Sequence, residues 1–122
     1  MSTQRKFDLE DRLIDFAIMI DKIIEQLPVS RLGNHLSGQL VWCCTSPALN
    51  YGEAQSAESQ SDFIHKCKVI LKELRETKVC LKLIKRKSLL SEKKLSKEIQ
   101  ENDELIAIFL KSIDTAKKNK ER

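Results

Sequence analysis

Apolar residues recur at alternating intervals of four and three positions along four segments of the chain, a spacing typical of amphipathic α-helices. The third segment shows this pattern most regularly, and basic side chains fall roughly opposite its apolar face, with Val79 as the only gap. The inward positions are Phe63, Cys67, Ile70, Leu74, Thr77, Leu81 and Ile84. The outward basic positions, called the basic stripe below, are His65, Lys68, Lys72, Arg75, Lys82 and Arg86. The pattern predicts a helix over residues 60–86.

The first segment has the same spacing and predicts a helix over residues 9–27, which Pro28 is expected to end. Its inward positions are Leu9, Leu13, Phe16, Ile20, Ile23 and Leu27. Ile14, Ile18 and Ile24 add apolar surface outside that face. One neighbouring helix does not require so much apolar surface, so we expect a second contact there, such as an oligomer interface.

The second and fourth segments predict helices over residues 31–53 and 91–117, with Ser30 and Ser91 as N-caps. The inward positions of the second are Leu32, Leu36, Leu40, Cys43 and Pro47, although Gly33, Gly38 and Pro47 weaken its helix propensity. The inward positions of the fourth are Leu95, Ile99, Asn102, Ile106, Phe109 and Ile113. The polar residues after 117 are expected to fray.

Small and polar residues fill positions 52–61 and mark the link between the two halves of the chain. Ser59 and Asp62 form the pattern of a capping box at the start of the third helix. Short links between four amphipathic helices favour antiparallel neighbours. We therefore predict an all-α fold, an antiparallel up-down-up-down four-helix bundle, in which residues 1–122 form a single domain.

The composition agrees with this fold, since 3 Gly and 2 Pro stand against 33% charged residues. Four cysteines, Cys43, Cys44, Cys67 and Cys80, show no C-x-x-C spacing, and the adjacent pair is poorly placed for a mutual disulfide. We expect buried free thiols and a cytoplasmic location. No apolar run approaches the roughly 20 residues that span a bilayer, so no membrane association is expected.

The net charge of +4 hides an asymmetry between the two halves of the chain. Residues 1–64 hold 5 basic and 9 acidic side chains, or −4, and residues 65–122 hold 17 basic and 9 acidic, or +8. This distribution permits an anionic partner such as nucleic acid. It equally permits head-to-tail packing between acidic and basic surfaces of identical subunits.

Catalytic and metal-binding patterns are not readable in the sequence. His35 and His65 have no Glu-x-x-His arrangement of the kind that di-iron bundles use, and phosphate-loop and nucleophile-elbow motifs are missing. We therefore expect a protein that is not an enzyme and that holds no cofactor or metal. Trp42 lies between two inward positions and is expected at the edge of the core or in a subunit interface.

Two interpretations of the basic stripe stay open. In one it is an ordinary solvated face, with Glu73 and Glu76 moderating its charge. In the other it contacts phosphates, and the candidate nucleic-acid-binding residues are Lys68, Lys72, Arg75, Lys82 and Arg86. No aromatic residue is interleaved with the stripe, so base stacking is not indicated.

A pattern in residues 39–76 resembles a known family. It comprises Gln39-Leu40, Ser46, Asn50, Glu53, Ser59-x-x-Asp62-Phe63, Leu74 and Glu76. It resembles the four-helix-bundle proteins encoded within intervening sequences of bacterial large-subunit (23S) ribosomal RNA genes. The family pattern has an arginine pair where this chain has Val41 and Trp42.

This resemblance implies an all-α bundle, commonly a homopentamer, with no known enzymatic activity and a loosely defined link to RNA. It also implies a relation to the accessory proteins of diversity-generating retroelements, which work with nucleic acid. Asn50 and Glu53 are the polar positions matched to the family, and they could equally anchor the start of the third helix by hydrogen bonds. We predict a self-associating binding or accessory module for RNA or DNA; the alternative is a structural protein–protein interaction module that binds no nucleic acid.

Overall fold

A computed structural model of the protein describes residues 8–121, which form four α-helices and no strand. The helices are α1 (Leu9–Gln26), α2 (Arg31–Gln55), α3 (Gln60–Arg86) and α4 (Glu92–Lys120). Each helix packs against the next in the chain, and α4 also contacts α1, which closes the ring. The predicted all-α, antiparallel four-helix bundle is thus confirmed. None of the helices in this part of the chain combines the length and apolarity needed to cross a bilayer.

The helix ends follow the local signals in the sequence. Serine side chains accept backbone N–H groups at the start of α2, α3 and α4, from Ser30, Ser59 and Ser91 respectively. Asp62 reaches back to the N–H of Glu58 rather than to that of Ser59, so the capping box is shifted by one residue. The fourth helix runs to Lys120, three residues beyond its predicted end, and α2 runs to Gln55.

Pro47 lies buried inside α2 without ending the helix. A proline has no N–H to give to the carbonyl four residues earlier, which here belongs to Cys43. The Thr77 hydroxyl of α3 lies 3.3 Å from that Cys43 oxygen and 3.0 Å from the oxygen of Glu73. The neighbouring helix therefore places a hydroxyl proton, which the Glu73 and Cys43 oxygens share, beside the carbonyl that Pro47 leaves unpaired.

The core is drawn from all four helices, and its largest members are fully buried. These members are Phe16, Phe109, Leu13, Ile20, Ile23, Leu40, Ile70, Leu74, Leu81, Ile84, Leu95 and Leu105. The inward face of α4 differs from the prediction, because Leu105 and Ala116 are buried whereas Ile99 and Ile106 are only partly so. Asn102 is fully buried as expected, and its Nδ2 donates to the oxygen of Leu74 at 3.1 Å.

The turn between α1 and α2 is tightly packed. A Cβ added to Gly33 would collide with the carbonyl oxygen of Pro28 and with Ser30 Oγ. Gly38, one and a half turns further along α2, has nothing within 4 Å of the same position. Glycine is therefore required at 33 for steric reasons and is not required at 38.

The contact between α1 and α4 is the least extensive of the four helix contacts. It carries a charge cluster that we call the Arg12 clamp. Arg12 binds Glu101 through both Nε and Nη2, at 2.7 and 2.9 Å, and Glu104 through Nη2 at 2.8 Å. These hydrogen bonds raise the pKa of Arg12 above its ordinary value, so the guanidinium stays charged.

Candidate nucleic-acid interface

A groove of about 580 Å³ runs between α2 and α3. Half of the residues that line it are apolar: Leu32, Leu36, Leu71, Val79, Cys80 and Leu83. Three residues of the basic stripe, Lys68, Lys72 and Arg75, also line it from α3, and His35 and Gln39 line it from α2. We call this feature the α2–α3 groove. The groove thus combines part of the predicted stripe with apolar lining residues.

A second cavity of about 830 Å³ adjoins the α2–α3 groove, since Leu32 and His35 line both. It adds two cationic residues, Arg31 at the start of α2 and Lys87 after α3. Glu76 is the one acidic residue among those lining either cavity. The two cavities together form a continuous depression in which the charged lining residues are mainly cationic.

The cations of α3 divide into two groups according to the direction they face. Those that reach neighbouring helices are ion-paired: Lys66 with Glu53, Lys78 with Asp103 and Lys85 with Glu92, at 2.6, 3.0 and 3.4 Å. The five candidate binding cations of the basic stripe are exposed and form no ion pair with any residue between 8 and 121. The charge of the stripe is therefore available to an external anion.

Two of the five predicted binding residues lie apart from the cavities. Lys82 and Arg86 are exposed on α3 but line neither the α2–α3 groove nor the cavity beside it. Arg31, His35 and Lys87 take part instead, and the sequence pattern did not single them out for binding. They lie on a different helix or beyond the end of α3, so only the alignment of α2 with α3 reveals them.

Large apolar side chains are exposed elsewhere, on the outer faces of α1 and α2. Ile14 and Ile18 are 43% and 52% exposed, as their position outside the inward face predicted. Trp42 and Leu49 are 76% and 69% exposed. Trp42 therefore does not lie at the edge of the core, since its position on α2 directs the side chain outward. A subunit interface, the other location expected from the sequence, stays a prediction.

Residues 5–111 match the family described as 23S rRNA-intervening sequence protein. The chain belongs to this family. It is also similar to a protein of unknown function from the S23 ribosomal protein family of Bacteroides thetaiotaomicron VPI-5482, whose crystal structure is known at 1.70 Å resolution. The two share 27% identity over 85% of this chain and 96% of the other, with a TM-score of 0.76. None of the curated proteins matches the chain.

Two polar positions matched to the 23S rRNA-intervening sequence family make contacts within the bundle. Glu53 pairs with Lys66 and so ties the end of α2 to the beginning of α3. The side-chain nitrogen of Asn50 donates to the backbone oxygen and hydroxyl of Ser46, at 3.0 and 2.8 Å. Glu53 thus anchors the start of α3, which was one of the two roles expected from the sequence. Asn50 instead forms its hydrogen bonds within α2.

The four cysteines of this family member are buried free thiols, as predicted. Cys43 contacts both Thr77 and Cys80 across the interface between α2 and α3. Residues 8–121 contain no group of three or more His, Cys, Asp or Glu side chains that could hold a metal ion. The α2–α3 interface and the groove above it therefore bring together two thiols, one histidine and three cations that form no ion pair within the described part of the chain.

Proposed function

We propose that this protein is a non-enzymatic, self-associating helical bundle that acts as a binding or accessory module, and that its α2–α3 groove contacts RNA or other nucleic acid. The observation that carries this proposal is the division of the α3 cations. Lys68, Lys72 and Arg75 border a groove without ion pairs, while cations of the same helix that face other helices are paired. The family name, which refers to 23S rRNA, adds support.

The spacing of the three groove cations suits contact with a phosphate backbone. Lys68, Lys72 and Arg75 lie on successive turns, so their backbone positions span about 10 Å along the helix axis. Long, unpaired side chains at that spacing can each reach a different phosphate. Such contacts supply affinity and orientation without reading the base sequence.

Fluorescence anisotropy with a labelled RNA hairpin and a DNA duplex tests the proposal at two salt concentrations. Three phosphate contacts predict that affinity for the duplex falls about forty-fold between 50 and 200 mM salt. The hairpin is expected to show a salt dependence of the same direction. Absence of binding at low salt, or binding that salt does not weaken, contradicts a phosphate-binding groove.

Two triple charge reversals locate the site. Lys68→Glu, Lys72→Glu and Arg75→Glu together are expected to remove the salt-dependent binding. Lys93→Glu, Lys94→Glu and Lys97→Glu change the net charge equally on exposed positions of α4 and are expected to retain the salt slope. Equal loss in both variants means that net charge, and not the groove, attracts the nucleic acid.

Self-association is supported by the exposed apolar side chains of α1 and α2. Light scattering is expected to give a mass well above the 14.1 kDa of one chain. Trp42→Glu combined with Leu49→Glu is expected to lower that mass. Leu110→Glu, at a 46% exposed position of α4, is the matched control and is expected to leave it unchanged. A monomer in the unmodified protein contradicts self-association.

The same exposed surface favours the second candidate, a structural protein–protein interaction module that binds no nucleic acid. On that hypothesis the basic stripe is a solvated face, and the apolar positions Ile14, Ile18, Trp42 and Leu49 carry the function. An assembly larger than one chain, together with flat RNA and DNA titrations, supports this candidate over the first.

A further inference from the structure

Cys43 of α2 and Cys80 of α3 meet beneath the α2–α3 groove. Their residues are 1% and 6% exposed, and their thiols interact with each other. Thr77 Oγ1 lies 3.1 Å from Cys43 Sγ and holds it at the interface. Cys80 lines the groove and Cys43 does not. A small molecule in the groove therefore reaches Cys80 before Cys43.

The interaction between the two thiols makes them chemically unequal. It lowers the pKa of Cys80, although burial acts in the opposite direction. The same interaction raises the pKa of Cys43, and burial adds to that rise. Cys80 is thus the better nucleophile, because the thiolate is the reactive form, while Cys43 stays protonated beside it.

Cys44 and Cys67 lack this arrangement. Cys44 Sγ faces α1, where it lies 3.9 Å from the oxygen of Ala17. Cys67 precedes Cys80 by about 20 Å along the axis of α3. Burial raises the pKa of each to about 11. These two thiols are therefore internal controls for the reactivity of the pair.

We propose that Cys43 and Cys80 form a peroxide-reactive thiol pair, which oxidation converts into a disulfide between α2 and α3. The Cys80 thiolate attacks one oxygen of hydrogen peroxide, the O–O bond breaks, and the departing hydroxide takes up a proton to become water. Cys80 is then a sulfenic acid. The Cys43 thiol loses its proton, its sulfur bonds to that of Cys80, and the sulfenic oxygen leaves as a second water. Two thiols and one peroxide thus give one disulfide and two waters.

The bond has a direct consequence for the bundle, because its two ends lie on different helices. It ties α2 to α3 below the groove and closes a loop between residues 43 and 80. Such a cross-link restricts the unfolded chain and stabilises the folded one. This inference concerns thiol chemistry and stands apart from nucleic-acid binding.

Mass spectrometry of the full chain tests the pair. Reduced protein treated with stoichiometric hydrogen peroxide is expected to lose about 2 Da, the mass of two hydrogens. Trypsin cuts after lysine and arginine, so Cys80 falls in the peptide of residues 79–82 and Cys43 in that of residues 32–66. These two peptides are expected to be linked in the oxidised sample and separate after reduction.

Serine variants assign the sulfurs, since the larger peptide also contains Cys44. Cys44→Ser and Cys67→Ser are expected to keep the linkage, and Cys43→Ser and Cys80→Ser to abolish it. In Cys43→Ser, dimedone is expected to trap the sulfenic acid on Cys80. No loss of mass, or a linkage that survives in Cys43→Ser, overturns the proposal.

Thermal unfolding gives an independent measurement. The oxidised protein is expected to unfold about 5 °C or more above the reduced one, and dithiothreitol is expected to reverse the gain. Cys43→Ser is expected to show no difference between peroxide-treated and untreated samples. A gain of the same size in that variant overturns the assignment to this pair.

Discussion

The α1–α4 contact and the α2–α3 contact use charge in opposite ways. Between α1 and α4, the Arg12 clamp satisfies a guanidinium with two carboxylates of the opposite helix. Between α2 and α3, one ion pair, Lys66 with Glu53, ties the end of α2 to the beginning of α3. Elsewhere these helices meet through Cys43, Thr77 and Cys80, and the cations that line the groove have no ion-pair partner in the described chain. The α1–α4 contact uses its charges internally, and the α2–α3 contact presents the cations of its groove outward.

The difference follows from how extensively each pair of helices packs together. The contact between α2 and α3 is extensive, so it does not need its groove cations to hold the helices together. The contact between α1 and α4 is small, and polar contacts make up part of the difference. The groove can therefore change its charge at little structural cost, whereas the clamp cannot. Four substitutions test this comparison.

Gly33→Ala is expected to have the largest effect, because α1 depends on the tight turn at Pro28 as well as on the clamp. Its Cβ collides with backbone, and we expect a loss of about 3 kcal/mol in unfolding free energy. Gly38→Ala meets nothing and is expected to gain about 0.5–1 kcal/mol from helix propensity. Urea unfolding measures both. Equal stabilities of the two variants contradict the tight turn.

Thr77→Val tests the α2–α3 contact. Pro47 has no N–H to donate to the Cys43 carbonyl, so the variant leaves that carbonyl without a hydrogen-bond donor. We expect a loss of about 2 kcal/mol in unfolding free energy. Thr45→Val is the control, because Thr45 also donates to a carbonyl four residues earlier but is exposed.

A double-mutant cycle sharpens this test. In a Pro47→Ala background, the backbone N–H of residue 47 donates to the Cys43 carbonyl. Thr77→Val is therefore expected to lose less than half as much unfolding free energy in that background as in the unmodified protein. Additive losses in urea unfolding refute the idea that Thr77 compensates for Pro47.

Arg12→Met removes the charge of the clamp and keeps much of the apolar stem. We expect a loss of about 1 kcal/mol, since the pairing is bidentate but only partly buried. Hydrogen exchange is expected to quicken in α1 more than in α3. Lys118→Met breaks an exposed pair within α4 and is expected to change little. Uniform exchange across the bundle after Arg12→Met argues against a separately held α1.

Much of the fold could be predicted from the sequence, because the four-and-three spacing, Pro28 and the capping serines are local signals. The inward face of α4 was harder to place. Ile99, Leu105 and Ile106 offer more than one apolar face, so only packing against the other helices decides between them. Spacing alone could not show that Pro47 is tolerated, since the compensating hydroxyl of Thr77 comes from another helix.

The candidate site was predicted only in part, for the same physical reason. A stripe on one helix is a local pattern, and Lys68, Lys72 and Arg75 were found in that way. The groove depends on how α2 is aligned with α3, which brings His35 beside the stripe and sets Cys43 against Cys80. Chemistry shared between helices is not periodic in either of them, so no pattern in one segment indicates it.

Lys72→Glu has the smallest expected effect on the unfolding free energy. It tests the other half of the comparison, because a gain in stability is expected instead of a loss. Lys72 lies four residues after Lys68 and three before Arg75, so like charges face each other along α3. Reversing the central charge turns both repulsions into attractions and turns the attraction to Glu76, four residues later, into a repulsion. The net effect expected is a gain of about 0.5 kcal/mol in unfolding free energy at low salt. Lys72→Gln is expected to give about half that gain. Salt near 0.5 M is expected to remove both gains, because these side chains are exposed. A loss of stability in Lys72→Glu means that the stripe supports the bundle, and the contrast with the Arg12 clamp then fails.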